Sequence, residues 1–244
     1  MANRSRFRFL GAALAAVGVA FTLTAAPAYA APPPAGYRTD QIMTTANNPV
    51  LGDIPIRRGF YDADANQGFG MDKAWHYHNL PSLTAQKYVL ESTDRTLQSQ
   101  GSWRMRAWAY KEECTTSGGK RTCKVVDERE VWGIYQPQSY DKYFGWPVGG
   151  KLGLQTMYCQ QGGAIKCPDW VIISFQNAAA GTSALSRTEA STPSVSPTPA
   201  VEEGLTPSER KSQQELYESP EMQELFQQIE SGEVVLTGSY EKLS

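Results

Sequence analysis

Four cysteines, Cys114, Cys123, Cys159 and Cys167, constrain this chain more than any other feature. An even number in a chain that reads as exported points to two disulfides. Three pairings exist. Residues 115–122 (TTSGGKRT) and 160–166 (QQGGAIK) each contain Gly-Gly and read as hairpin turns, which favours Cys114–Cys123 and Cys159–Cys167. Each bridge would close a loop of about ten residues and stabilise by roughly 2.5–3 kcal/mol in the loop-entropy model. Zinc is the rival reading, but neither pair has the short C-x₂₋₄-C knuckle spacing. With every cysteine in a disulfide, a thiol nucleophile drops out.

The compartment follows from the N-terminus. Arg4, Arg6 and Arg8 precede an uncharged apolar run from Leu10 to Ala26, and Ala28-Tyr29-Ala30 has the small-x-small form of a cleavage site. Residues 1–30 are read as a secretory signal peptide, which makes the mature protein secreted and extracellular. A membrane anchor is the other reading, but the run is short against the roughly 20 residues a spanning helix needs. No later stretch is apolar for long enough to cross a membrane.

Charge divides what remains. Residues 31–177 carry 16 Lys+Arg against 14 Asp+Glu, net +2, and hold all six Trp, both His and all four Cys. Residues 178–244 carry 4 Lys+Arg against 11 Glu, net −7. The first stretch is expected to be the secreted domain and 178–205, rich in Ala, Ser, Thr and Pro, a solvated linker. Residues 206–244 are expected to be an acidic amphipathic helical tail. Thr206-Pro207-Ser208-Glu209 has the form of a capping box. A second start at Ser219-Pro220 leads to Met222, Leu225, Phe226 and Ile229 at helical spacing, and Gly232 ends it. Such a tail either docks on its own domain or offers its apolar face to a protein partner.

Within the domain, residues 31–57 show no period and read as an extended lead-in. Residues 71–91 can be helical, broken at Pro81. Residues 103–110 alternate as a strand does, and CKVVDEREVWGIYQ, KLGLQTMYC and DWVIISF follow as three β-rich runs. Helix first and antiparallel sheet afterwards makes the fold class α+β, with an N-terminal helical segment packed on about four strands. With 41% hydrophobic and 11% aromatic residues, the chain has enough to build a core.

The densest chemical cluster is Gly68 to Asn79, GFGMDKAWHYHN, which contains the only two histidines. On a helix, Asp72 and Lys73 share a face with His76, and His78 is turned by about 200° from it. A histidine oriented by a carboxylate, with an ammonium close by, suits general acid–base work on a phosphate. The structural alternative is an aromatic cap in which Phe69, Trp75 and Tyr77 pack the core.

This cluster, followed by Arg129 in EREVWGIY and by the strand GLQTMYC, resembles the barnase/EndoU/RelE-like ribonuclease superfamily, to which many secreted bacterial toxins belong. The resemblance covers Gly68 to Cys159 and implies metal-independent RNA cleavage with no cofactor. His76 or His78 would act as base or acid, Lys73 and Arg129 would bear on the phosphorane charge, and Thr156 or Tyr158 would hold a phosphate oxygen. This chain reads Thr156-Met157-Tyr158 where that group has Thr-Ala-Tyr, and a domain of net +2 is a weak electrostatic trap for RNA.

Three other readings use other residues. Tyr37-Arg38-Thr39-Asp40, Ser92-Thr93 and Glu128-Arg129-Glu130 follow the order of the Arg…Ser-Thr…Glu-x-Glu series of bacterial mono-ADP-ribosyltransferases. Asp62, Asp64 and Asn66 occupy the first ligand positions of an EF-hand-like calcium loop, although Gln67 and Lys73 stand where that loop needs Gly and Glu. Finally, Trp103, Trp108, Trp132 and Trp146 could form an aromatic surface on a non-catalytic secreted binding protein.

Overall fold

A computed structural model describes residues 32–160, 166–181 and 201–243. The expected signal peptide, the turn of the second disulfide hairpin and most of the expected linker lie outside the described residues. Among the described residues the fold is mixed α and β, with five α-helices, one 3-10 turn (Ser99–Gly101) and an antiparallel sheet.

Two hairpins come first. β1 (Ile42–Asn48) pairs with β2 (Gly52–Arg57), and β3 (Phe60–Asp62) with β4 (Gln67–Phe69). Asn48 fixes the first turn, because its side-chain oxygen accepts from the backbone of Val50 and Leu51 while its amide donates to Leu90 and Ser92 carbonyls. The domain therefore does not open on the helical segment expected from the sequence. The pairing of Ile42 to Asn48 with Gly52 to Arg57 overrides a stretch that shows no period by itself. Helices α1 (Gly70–His76) and α2 (Leu83–Leu90) follow on either side of Pro81.

The main sheet has strands β5 (Arg95–Leu97), β6 (Trp103–Ser117), β7 (Lys120–Tyr143) and β8 (Trp146–Gln160) in that order. Its fifth strand, β9 (Val234–Ser239), comes from the tail and pairs antiparallel with the distal part of β6, next to the part that β5 covers. The tail is thus a strand as well as helices, and the sheet has five strands rather than four. The two disulfides are Cys114–Cys123, across the β6–β7 hairpin, and Cys159–Cys167, from the end of β8 to the approach of the next helix.

That helix, α3 (Trp170–Ala179), corrects the expectation of a strand at DWVIISF. Trp170 through Phe175 are all buried, so the run is apolar on every side and carries neither period. Packing decides it: α3 lies across β6 and β9, with Phe175 and Ala178 against Gly238. Where α2 crosses the sheet, Gly133 lets it approach closely, since a Cβ there would sit 3.1 Å from both Leu90 and Met157 side chains.

α4 (Pro207–Tyr217) and α5 (Pro220–Glu230) begin at the two expected caps, and the Thr206/Glu209 capping box is formed in both directions. The apolar stripe of α5, with Met222, Leu225 and Phe226, is buried in the chain's own core. Two acids of the tail are tied in as well. Glu202 accepts hydrogen bonds from Ser82 Oγ (2.8 Å) and from the Leu83 and Thr84 amides (2.6 and 2.8 Å), so its charge sits at the α2 N-terminus. Glu209 forms a buried ion pair with Arg58, which has also crossed from the first hairpin to donate to the Gly204 carbonyl.

Candidate functional site

Register assigns every strand residue to one of two faces of the sheet. Met105, Ala107, Ala109, Val131, Gly133 and Met157 face the helices and form the core with α2 and α3. The opposite face carries no described α-helix; the single 3-10 turn Ser99–Gly101 lies at its β5 side, beside Ile134 and Thr156. Its side chains stand in rows across the strands: Thr96, Arg104, Ile134 and Thr156, then Arg106, Trp132 and Tyr158, then Trp108, Glu130 and Gln160.

These rows are chemically connected. The Arg104 guanidinium lies 4.0 Å over the Trp132 ring, a short cation–π contact. Trp132 donates its indole N–H to Glu130 at 2.7 Å. Arg106 is fixed by Asp94, at 2.7 Å, and stands 4.0 Å from Glu130. Tyr158 packs on Trp132 at 5.8 Å between ring centres, and its phenol is pushed up by burial, partly offset by Arg104. Beyond Tyr158 at the β8 edge lies His78, 5.3 Å from it and 4.5 Å from Tyr77. His78 is 7% exposed, and its carbonyl accepts from the Cys167 amide, so the second disulfide helps to set its position.

The structure therefore brings His78 against Tyr158, with Thr156 at the next same-face position of β8, and sets the other expected site residues elsewhere. His76, half exposed on α1, lies 3.3 Å from Asp72. Hydrogen bonding to that carboxylate raises the imidazole above its usual value, against the opposing effect of burial. Asp72 is itself buried and also accepts from Tyr37 Oη (2.9 Å) and the Tyr61 amide (2.7 Å), so it ties three segments together. Burial lowers the Lys73 ammonium. Arg129 is on the helix-covered face: it bonds Asp127 and lies 5.9 Å from the Trp170 ring, because its odd-numbered position on β7 alternates away from Glu130 and Trp132.

The remaining candidates are held locally. Arg38 pairs with Asp40, the Ser92 hydroxyl accepts from the Asp94 amide, Glu128 pairs with Lys242 and Glu130 accepts from Trp132. None of these bonds joins one member of the transferase series to another. Asp62 accepts from the Asp64 and Ala65 amides in an Asx turn, and the Asn66 side-chain oxygen accepts from Tyr61 Oη. Among the described residues, no three His, Cys, Asp or Glu side chains are grouped to hold a metal ion. The tryptophans divide. Trp146 packs with Phe69, Val148 and Leu152 in a second apolar cluster, Trp103 pairs with Tyr135 on the covered face, and Trp108, on the same face as Trp132, is buried, which leaves Trp132 alone of these four half-exposed on the open one.

Arg104 and Arg106 are the residues that the sequence reading passed over. Their signal was present in the alternation Trp103-Arg104-Met105-Arg106-Ala107-Trp108, which puts both arginines on one side of a strand. Comparisons with protein-family models, with curated proteins and with solved structures give no match for this chain.

Proposed function

We propose that this chain is an exported, RNase-like protein whose sheet face opposite the α-helices binds single-stranded RNA and cleaves it without a metal. The observation that carries this reading is the pair of rows Arg104–Ile134–Thr156 and Arg106–Trp132–Tyr158. Two arginines supply fixed positive charge for a phosphodiester, and a ring with a guanidinium stacked on it supplies a platform for bases. Two disulfides, and no helix among the described residues long and apolar enough to cross a membrane, are compatible with an exported protein.

In this reading the ribose 2′-hydroxyl attacks the adjacent phosphorus and the 5′-oxygen leaves. His78, beside Tyr158, exchanges the proton, and Arg104 and Arg106 take the stabilising role that the resemblance would give to Arg129. Tyr158, rather than Thr156, holds a phosphate oxygen. Binding without cleavage is the second reading. It is favoured by the Asp72–His76 pair being built into the contacts of α1 with Tyr37 and Tyr61.

The test incubates oxidised protein with mixed RNA in excess EDTA, beside His78→Ala and an Arg104→Gln/Arg106→Gln variant. Cleavage by the parent and by neither variant supports the nuclease. RNA binding without cleavage by the parent selects the second reading. No binding by folded, oxidised protein refutes both.

A further inference from the structure

We propose that the cleft beside Thr156 is a nucleoside subsite that holds one base and its ribose; this rests on the RNA-binding reading above. The cleft is shallow and open to solvent, with a volume of about 330 Å³, the lower end of the range for small-molecule sites. It lies between the loop that carries Gln98, Gln100 and Ser102 and the strand positions Ile134, Gln155 and Thr156, with Tyr158 at its side.

Its lining selects the ligand's chemistry. Apart from the Tyr158 phenol, every polar group in it is a carboxamide or an aliphatic hydroxyl, so a phosphate or carboxylate would find no counter-charge. Groups that both donate and accept match the edge of a nucleobase and the hydroxyls of a ribose. Thr156 Oγ1 is buried without a hydrogen-bond partner in the protein, an arrangement that costs stability until a ligand atom bonds it. The loop is held in an unusual shape, since Gln100 has φ of 71°, a left-handed conformation that non-glycine residues seldom adopt.

Neighbouring charge argues for a nucleotide rather than a neutral sugar. Arg104 stands directly across from Ile134, at the lip of the cleft, with its guanidinium over Trp132. A base in the cleft would place the adjoining phosphate near this guanidinium and the next base on the Trp132–Tyr158 row. A neutral glycan would make no use of the Arg104 charge, which has no carboxylate partner among the described residues, whereas Arg106 is already paired with Asp94. A hydroxyl-lined wall also suits the 2′-hydroxyl that distinguishes RNA from DNA.

The experiment follows the side-chain and backbone amide signals of the full, oxidised protein while uridine, cytidine, adenosine, guanosine, their 2′-deoxy forms or N-acetylglucosamine are added at millimolar concentration. At least one ribonucleoside is expected to shift Gln98, Gln100, Gln155 and Thr156, more strongly than its deoxy form. Its affinity should fall about tenfold in Thr156→Val and in Gln100→Ala. An absence of shifts with every nucleoside overturns the proposal, as does a response to N-acetylglucosamine alone. RNA affinity measured in Arg106→Gln separates the two ideas. RNA binding that depends on Arg106, with no nucleoside in the cleft, leaves the open face standing and removes the subsite. Nucleosides in the cleft of a protein that binds no RNA do the reverse.

Discussion

Replacing Glu209 by Ala removes one half of an ion pair whose side chains are only 4% (Arg58) and 8% (Glu209) exposed. Arg58 would keep Gln41 Oε1 at 3.2 Å and the Gly204 carbonyl at 2.9 Å, two neutral acceptors for a desolvated cation. Losing one partner of such a pair costs about 3–5 kcal/mol, and the broken capping box at Thr206 adds about 1 kcal/mol. With a urea slope of roughly 2–3 kcal/mol/M for a chain of this size, the unfolding midpoint should fall by about 1.3–3 M. A matched apolar pair, Arg58→Met/Glu209→Leu, should lie much nearer to the parent, because removing both charges also removes the desolvation they require. Acidity supplies an independent check. Burial alone would raise the Glu209 carboxyl, but the bonds from Arg58 and Thr206 outweigh it and hold it below the usual range. Its contribution is therefore present above the unfolded glutamate pKa and disappears as pH falls through the folded one. A loss under about 1 kcal/mol for Glu209→Ala would refute the reasoning, since the tail would then not unfold with the domain.

The other predictions concern separate regions. The Cys123 side of the first disulfide is exposed, whereas Cys159 and Cys167 are each 2% exposed. Mild reductant should open Cys114–Cys123 with the fold retained, and alkylation mapping that finds Cys159 and Cys167 labelled first would contradict this. His76 should titrate above the usual histidine value by NMR and move down in Asp72→Asn, where burial is no longer opposed by the carboxylate. Because its folded pKa is raised, its stabilisation is complete below the unfolded value and is lost as pH rises through the folded one; an unchanged titration in the variant would dissolve the pairing. Gly153→Ala should lower the melting temperature by roughly 6–12 °C, about 3 kcal/mol, because its φ is +80° and a Cβ would stand 1.9 Å from the Pro55 carbonyl oxygen. A melt within about 2 °C of the parent would count against that close approach.

Local chemistry was legible in the sequence where one segment holds its own signal. The favoured disulfide pairings formed, although only Cys114–Cys123 bridges the expected hairpin and Cys159–Cys167 joins a strand to the approach of a helix; Thr206 and Ser219 marked two helix starts, and alternation marked β6. Non-local pairings were not legible. Val234-Val235-Leu236 is a β-branched, apolar run of strand type, yet only the exposed edge of β6, more than a hundred residues earlier, gives it a partner. The run Trp170 to Phe175 has no period because the core surrounds it on all sides. The candidate residues were grouped in the sequence by proximity and motif, whereas the fold puts His78 beside Tyr158, with Thr156 on the same strand face, and holds His76, Lys73 and Arg129 in other contacts. Register alone separates Arg129 from Glu130, and turns Arg104 and Arg106 toward Trp132 and Tyr158.

Photo-crosslinking of a uridine-rich oligoribonucleotide to the oxidised protein, with the attached residues identified by mass spectrometry, tests the open face most directly. The account predicts crosslinks at Trp132 and Tyr158, lost when Arg104 and Arg106 are replaced by Gln. Crosslinks confined to α3, α4 or α5, or none from folded protein in low salt, would contradict it.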